Sequence, residues 1–401
     1  MRRSPVLAVL ALISCGAPAR PSPPGAAEPS WAAEVRAQAA ADPGDAGALY
    51  LLAYLARSDR RSALSYLGRL DRLGWDFPLD RREFPGLVDT PEGRALSATF
   101  AAREPSAHTS TPAFTGRDAS LIPEGIAFDP RSGAFFLGSI ARRKIVRIDL
   151  LPGRVEERDL VATGLGGVLG IEVDPGRRLL WAAHNPPGRT ARREGRAMLS
   201  AFDADSGALV RQVGLAGTHL FNDVAITAAG DVYVTDSEGG GVYRLPGGSS
   251  ALEPVVAPGT LFYPNGLVWA EESQLLLVAD AGGIHTVAPD RTRRRLGRGP
   301  ARTLGAIDGL ALSGRTLVAV QNGYGRARVV RFDLDAGLTR VEHVEVLETG
   351  HKAFDSPTTG VIARGAFHYI ANSHLSALDD EGVVARPSSL SPPLILSTPI
   401  R

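Results

Sequence analysis

The sequence predicts an all-β fold, a six-bladed β-propeller, preceded by a small α-helical segment. Three observations lead there. A short apolar motif recurs six times beyond residue 122, a turn and a second apolar run follow each copy, and the hydrophobic period changes from helical to alternating across residues 106–120.

The six copies begin at Glu124-Gly-Ile-Ala-Phe, Leu169-Gly-Ile-Glu-Val, Asn222-Asp-Val-Ala-Ile, Asn265-Gly-Leu-Val-Trp, Asp308-Gly-Leu-Ala-Leu and Thr359-Gly-Val-Ile-Ala, in steps of 45, 53, 43, 43 and 51 residues. Second runs lie at 134–137, 179–182, 231–235, 274–279, 316–320 and 366–370, and third strands are legible at 144–148, 242–245, 284–287 and 329–332. A period near 40–50 with three or four short strands per unit is the signature of propeller blades, whereas a β-sandwich requires no repeat. The propeller is expected over residues 121–385. The 45 glycines and 29 prolines suit a chain with many turns.

Upstream, residues 31–105 carry helical spacing, as at Leu51, Leu52, Tyr54 and Leu55 and again at Leu64, Tyr66, Leu67 and Leu70. Asp42-Pro43 and Asp59 read as breaks or caps. The stretch from Phe84 to Leu96 resembles the tail of a degenerate tetratricopeptide hairpin. One and a half such units are too few for a free solenoid, so this piece is expected to pack on the propeller as a cap or spacer, with a protein partner as the other use.

The N-terminus pairs Arg2 and Arg3 with an apolar run at 5–13 that is too short to span a bilayer. Leu12-Ile13-Ser14-Cys15 resembles the bacterial lipobox, and Cys15 is the sole cysteine. The expectation is a signal peptide over 1–14, lipidation at Cys15, a flexible tether over 15–30, and an exported lipoprotein of the cell envelope, at the outer membrane. The lipid would be its only membrane contact.

Net charge is +1, from 44 Lys+Arg against 43 Asp+Glu, which gives no general attraction to nucleic acid. Residues 291–302 hold six arginines without interleaved aromatics and read as a solvated hairpin. No Gly-x-Ser-x-Gly elbow, P-loop, Cys-x-x-Cys pair or His-Glu-x-x-His helix is present.

In a propeller the first strand of each blade lines the axis, so one register position in every blade forms a ring. The openers place Glu124, Leu169, Asn222, Asn265, Asp308 and Thr359 on that ring. Two carboxylates and two amides, with no Cys or His, suit a divalent cation: Ca²⁺ first, with Mg²⁺, Mn²⁺ or Zn²⁺ as alternatives. Singly, Asn or Asp before Gly is an ordinary turn residue. At one position in four blades, the four together read as a metal site. Second-strand ends read Ser139, His184-Asn185, Asp236-Ser237, Asp280, Gln321-Asn322 and Asn372-Ser373. Asp236, Asp280, Asn322 and Asn372 are therefore expected to rim a polar mouth, unless they are merely solvated strand ends. His219 could reach the site from the loop above it, and His285 and His351 read as surface residues.

The openers Pro123-Glu-Gly, Phe221-Asn-Asp, Pro264-Asn-Gly and Ile307-Asp-Gly-Leu resemble the senescence-marker-protein/gluconolactonase (regucalcin-like) family over about residues 121–374. That resemblance implies a six-bladed propeller with one axial divalent metal held by Glu124, Asn222, Asn265 and Asp308, with Asp308 also the acid/base. It implies a hydrolase of a lactone or related ester. The more distant paraoxonases carry two histidines in blade two. Leu169 replaces the first and His184 is placed to match the second, which makes His184 a further catalytic candidate. A non-catalytic ligand- or protein-binding propeller of the cell envelope is the alternative.

Overall fold

A computed structural model describes residues 31–385 and 387–400. The lipobox and Cys15 lie outside the described residues. Six four-stranded antiparallel sheets follow one another along the chain and around a common axis. Blades one to five occupy 123–161, 167–216, 221–256, 267–295 and 307–349, each with its strands hydrogen-bonded in chain order. Blade six is composite. Its inner strands Gly360–Ala363 and Ala366–Ile370 are joined by Leu394–Pro399 and, outermost, by Thr111–Thr115. The pairs Thr111↔Ser397 and Thr115↔Leu394 close the ring with the two ends of the propeller. The propeller thus extends past both expected limits of 121 and 385, because the Ser/Thr-rich link contains a strand that pairs only with the far end of the chain.

Packing follows from the alternation within strands. Apolar faces of neighbouring sheets interleave, as where Leu277, Ala279 and Ile284 of blade four meet Leu310, Leu317 and Val330 of blade five. At the inner strands the backbones nearly touch. A Cβ on Gly125 would sit 2.1 Å from the Leu169 carbonyl oxygen, so glycine is required there.

Among the described residues, four helices precede the propeller: α1 (Trp31–Ala41), α2 (Ala46–Leu55), α3 (Arg60–Arg72) and α4 (Pro91–Ala102). The Asp45 carboxylate caps α2 by accepting from Ala48 N at 3.0 Å, and Asp59 caps α3. Asp42, at the expected break, instead pairs with Arg298 at 2.9 Å. One apolar cluster joins the helices to the propeller. Leu49, Tyr50, Trp75, Phe77 and Phe84 bury against Phe262, Ala281, Ala306 and Tyr324, which lie in loops of blades four and five.

The arginine run is the helical cap's docking strip, which corrects its reading as a solvated hairpin. Arg293, Arg295, Arg298 and Arg302 face Glu34, Asp45, Asp42 and Asp76 at 3.7, 3.1, 2.9 and 3.2 Å. The four guanidiniums stay partly exposed, while Asp45 and Asp76 are buried; the pairs orient the cap and the aromatic cluster holds it. Beneath them Arg328 is buried, stacked 3.7 Å over Phe77 and donating to Gln321 Oε1 at 3.0 Å. Among the described residues no helix is long and apolar enough to cross a membrane.

Inside the cap the Tyr50 hydroxyl donates to Glu83, whose carboxyl burial pushes up to about 8 from 4.5. The native state therefore holds this proton more tightly than the unfolded chain. The resulting stabilisation is complete below the unfolded value and lost as pH rises through about 8. Relative to Glu83→Gln, the wild-type protein is expected to lose stability between those limits by at most about 1.4 kcal/mol per pH unit. Paired thermal melts across that range check it; parallel pH profiles would refute it.

Candidate metal centre

The ring residues enter the axis through local distortions. A register shift follows the opener in blades one, two, three and five, between Pro123/Ile126, Val168/Ile171, Phe221/Val224 and Ile307/Leu310. Such bulges re-aim a side chain out of the pleat. Two residues before Glu124, Asn265 and Asp308 stand Ile122, Tyr263 and Ala306 at φ 45°, 54° and 56°. Left-handed backbone at a β-branched or bulky residue is costly and clusters at functional sites.

Glu124, Asn222 and Asp308 are each under 5% exposed. Asn265 Nδ2 donates to Asp308 Oδ1 at 2.8 Å, and Asn322 Nδ2 donates to Asp308 Oδ2. Asn222 Nδ2 donates to Ser237 Oγ at 2.9 Å, and Ser237 Oγ donates to the carbonyl of Pro264, the residue before Asn265, at 2.6 Å. Both ring amides thus spend their N–H groups on the protein. Glu124 Oε2, Asn222 Oδ1 and Asn265 Oδ1 are buried without a hydrogen-bond partner. Three partnerless acceptors at one level of the axis are costly unless something positive meets them.

Electrostatics agree. Burial pushes the Glu124 carboxyl well above the ordinary carboxylate range, and the charges of Asp308 and Asp223 push it further. Burial raises Asp308 to about 6 against the lowering effect of Asn322 and Asn265. Asp223 also rises by burial, to about 7. Among the described residues no group of three or more His, Cys, Asp or Glu is placed to hold a metal. The ring differs from such groups by drawing half its oxygens from amides. Its donors fit a hard divalent cation.

The two remaining openers serve otherwise. Thr359 Oγ1 donates to the Glu124 carbonyl at 2.7 Å, with Thr358 Oγ1 on the same oxygen at 3.0 Å, stitching blade six to blade one. Leu169 supplies an apolar, half-buried wall.

Most expected rim residues turn out to be staples. Asp236 accepts from Leu220 N and Gly239 N, both at 2.9 Å, and pairs with His219 at 2.5 Å, so that histidine is tied to the loop. Asp280 accepts from Gly282 N and Gly283 N at 2.9 Å and pairs with His285 at 3.2 Å; His285 is buried, contrary to its surface reading. Asn372 binds Leu394 N and Pro392 O of the closing loop. Of the four, Asn322 alone touches the ring. His184 is likewise engaged within blade two. Its Nδ1 accepts from Gly166 N at 3.1 Å, its Nε2 meets Ser200 Oγ at 2.9 Å, and burial lowers it to about 4. Both nitrogens are engaged within blade two, away from the ring oxygens.

Asp223 is the residue that the ring pattern passed over. Five openers carry glycine in second place, and here a carboxylate fills that space. It accepts from Leu267 N at 3.2 Å, bridging blades three and four. The departure from glycine at that position is a sequence signal for it, as is the resemblance of Asn222-Asp223 to the calcium-serving pair of paraoxonases.

No family model matches the sequence, tetratricopeptide repeats included. No curated protein matches it either. Among solved structures, the chain is similar to a gluconolactonase from Xanthomonas campestris, at 17% identity over 74% of this chain and 97% of that one, with a TM-score of 0.46. It is similar to a PQQ-bound aldose sugar dehydrogenase from Streptomyces coelicolor, at 16% identity over 73% and 98%, TM-score 0.48. A virginiamycin B lyase from Staphylococcus aureus gives 11% identity over 72% and 98%, TM-score 0.47.

Proposed function

We propose that the protein is a divalent-metal-dependent hydrolase of a lactone or related ester, with Glu124, Asn222, Asn265 and Asp308 holding the cation, Ca²⁺ by preference. The observation that carries this is the set of three buried, partnerless oxygens on Glu124, Asn222 and Asn265. A bound cation of this kind polarises a carbonyl and stabilises the oxyanion that develops on it. The chain's own residues supply the rest. Asn265 and Asn322 fix the Asp308 carboxylate from both sides, so its free lone pairs keep one direction. Held in that one orientation, the Asp308 carboxylate would take the proton of an attacking water. The loops carrying Phe262, Tyr263, Ala306 and Tyr324 connect the ring to the helical cap, which thereby stands beside blades four and five of the mouth.

Metal analysis of the purified chain is expected to find about one divalent ion per molecule, and chelation to lower the melting temperature by several degrees, as binding to the native state alone requires. A lactone screen would follow. No bound metal and no chelator response would replace this reading with that of a ligand- or protein-binding propeller. We propose as well that Cys15 is lipidated and anchors the chain to the cell envelope, which mass spectrometry of the mature N-terminus checks.

A further inference from the structure

Outside the axial ring, blade six holds a cluster that no sequence motif announces. The lead-in loop, the end of the second strand and the loop before Leu394–Pro399 bring Asp355, His374 and Ser391 together. His374 Nδ1 lies 2.6 Å from Asp355 Oδ2, and His374 Nε2 lies 3.0 Å from Ser391 Oγ. A carboxylate on Nδ1 fixes the proton there and leaves Nε2 as the acceptor, where it meets the Ser391 hydroxyl together with the Ser391 backbone N–H at 3.2 Å and Asn372 Nδ2 at 3.1 Å. Backbone bonds hold the parts in place: His374 N donates to Asp355 O at 3.1 Å, and Asp355 N to Ala371 O at 3.0 Å. Ser356 and His374 both adopt left-handed backbone, at φ 57°.

A purely structural latch would explain less. Asn372 already secures the closing loop by accepting from Leu394 N at 2.6 Å and donating to Pro392 O at 3.0 Å. The Ser391 hydroxyl is surplus to that task, and Ser391 is exposed while His374 is 5% exposed. An accessible hydroxyl backed by a buried imidazole and a carboxylate is the arrangement of an activated nucleophile, which is recognised by geometry rather than by order along the chain. Asn372 Nδ2, 3.0 Å from Ser391 Oγ, adds an amide donor beside it.

We propose that Ser391, His374 and Asp355 form a second, metal-independent acyl-transfer site on the mouth-side rim of blade six, acting on small acyl esters. Ser391 Oγ bonds to the ester carbonyl carbon and its proton passes to His374 Nε2. The carbon–oxygen bond to the alcohol breaks, and the alcohol leaves with that proton. Water then cleaves the acyl-serine and releases the acid, restoring the hydroxyl.

The test is labelling of the full chain by an alkyl phosphonofluoridate in excess chelator, with the site mapped by mass spectrometry. The expected result is a single adduct on Ser391, absent in Ser391→Ala. Asp355→Asn is expected to slow labelling by about 100-fold or more, because the amide no longer fixes the imidazole tautomer. The Asp355 side chain is 45% exposed, so that variant is expected to fold, as circular dichroism would verify. Absence of a Ser391 adduct, an adduct that needs the divalent ion, or a rate indifferent to Asp355→Asn would each overturn the proposal. All three readouts are independent of the axial ring, so this site and the lactone reading stand or fall separately.

Discussion

On the proposed metal site, Asp308→Asn is expected to abolish divalent-metal binding and to lower metal-dependent turnover by about 1,000-fold, while the propeller stays folded. The substitution keeps the shape of the side chain and removes one of the two carboxylates on the ring, leaving Glu124 to meet a +2 ion with amides alone. It also separates a metal effect from a folding effect. Without metal, wild-type Asp308 and Glu124 burden each other, since each carboxylate is buried and the Asp308 charge raises Glu124. Removing one relieves that burden. In excess calcium the wild type is expected to be the more stable, and its advantage is expected to shrink in chelator, where the relief of that burden is set against the loss of one of the two amide N–H groups that Asp308 accepts. Melting curves in both conditions, together with metal analysis, measure this. Full metal occupancy in the variant would remove Asp308 from the ligand set.

Tyr324→Ala detaches the helical cap. Tyr324 is fully buried between domains, with its ring 4.8 Å from Tyr50, 5.3 Å from Trp75 and 5.5 Å from Phe77. Truncating an aromatic in such a cluster costs about 3–5 kcal/mol. The arginine strip does not offset that loss, because its guanidiniums stay partly exposed. The expected result is rapid proteolysis within residues 31–105, with the propeller's β-sheet circular dichroism retained. Equal protease resistance in variant and wild type would show that the cap is held by its ion pairs.

The repeat was legible because a propeller writes the same instruction six times. A residue pair such as Asn265-Gly266 is ambiguous alone, but register across blades resolves it: of the four ring residues named from that register, Glu124, Asn222 and Asp308 are buried and Asn265 is half-buried. What stayed hidden depends on partners distant in sequence. Thr111–Thr115 reads as a polar link because its pairing partner is Leu394–Pro399. The arginines at 293, 295, 298 and 302 read as solvated because their acidic partners lie in the helical segment, more than two hundred residues upstream. The polar strand ends were found correctly, but direction is not written in residue type. Asp236 and Asp280 turn to their own loops, and Asn185 turns to the Phe221 backbone, at 2.8 and 2.9 Å. His184 shows the same limit, since spacing placed it and packing decided its neighbours.

The composite sixth blade sets the timetable of synthesis. Its outer strand, Thr111–Thr115, leaves the ribosome before any complete blade, and its partner Leu394–Pro399 emerges only after blades one to five. At about 5–20 residues per second the first strand waits on the order of tens of seconds with an open edge. Blades one to five can assemble in order behind it, but the circle stays open until Leu394–Pro399 has emerged. A chain that stops before Leu394 would therefore reach the quality-control machinery with five finished blades and still unclosed, with an unpaired strand displayed at each side of the gap.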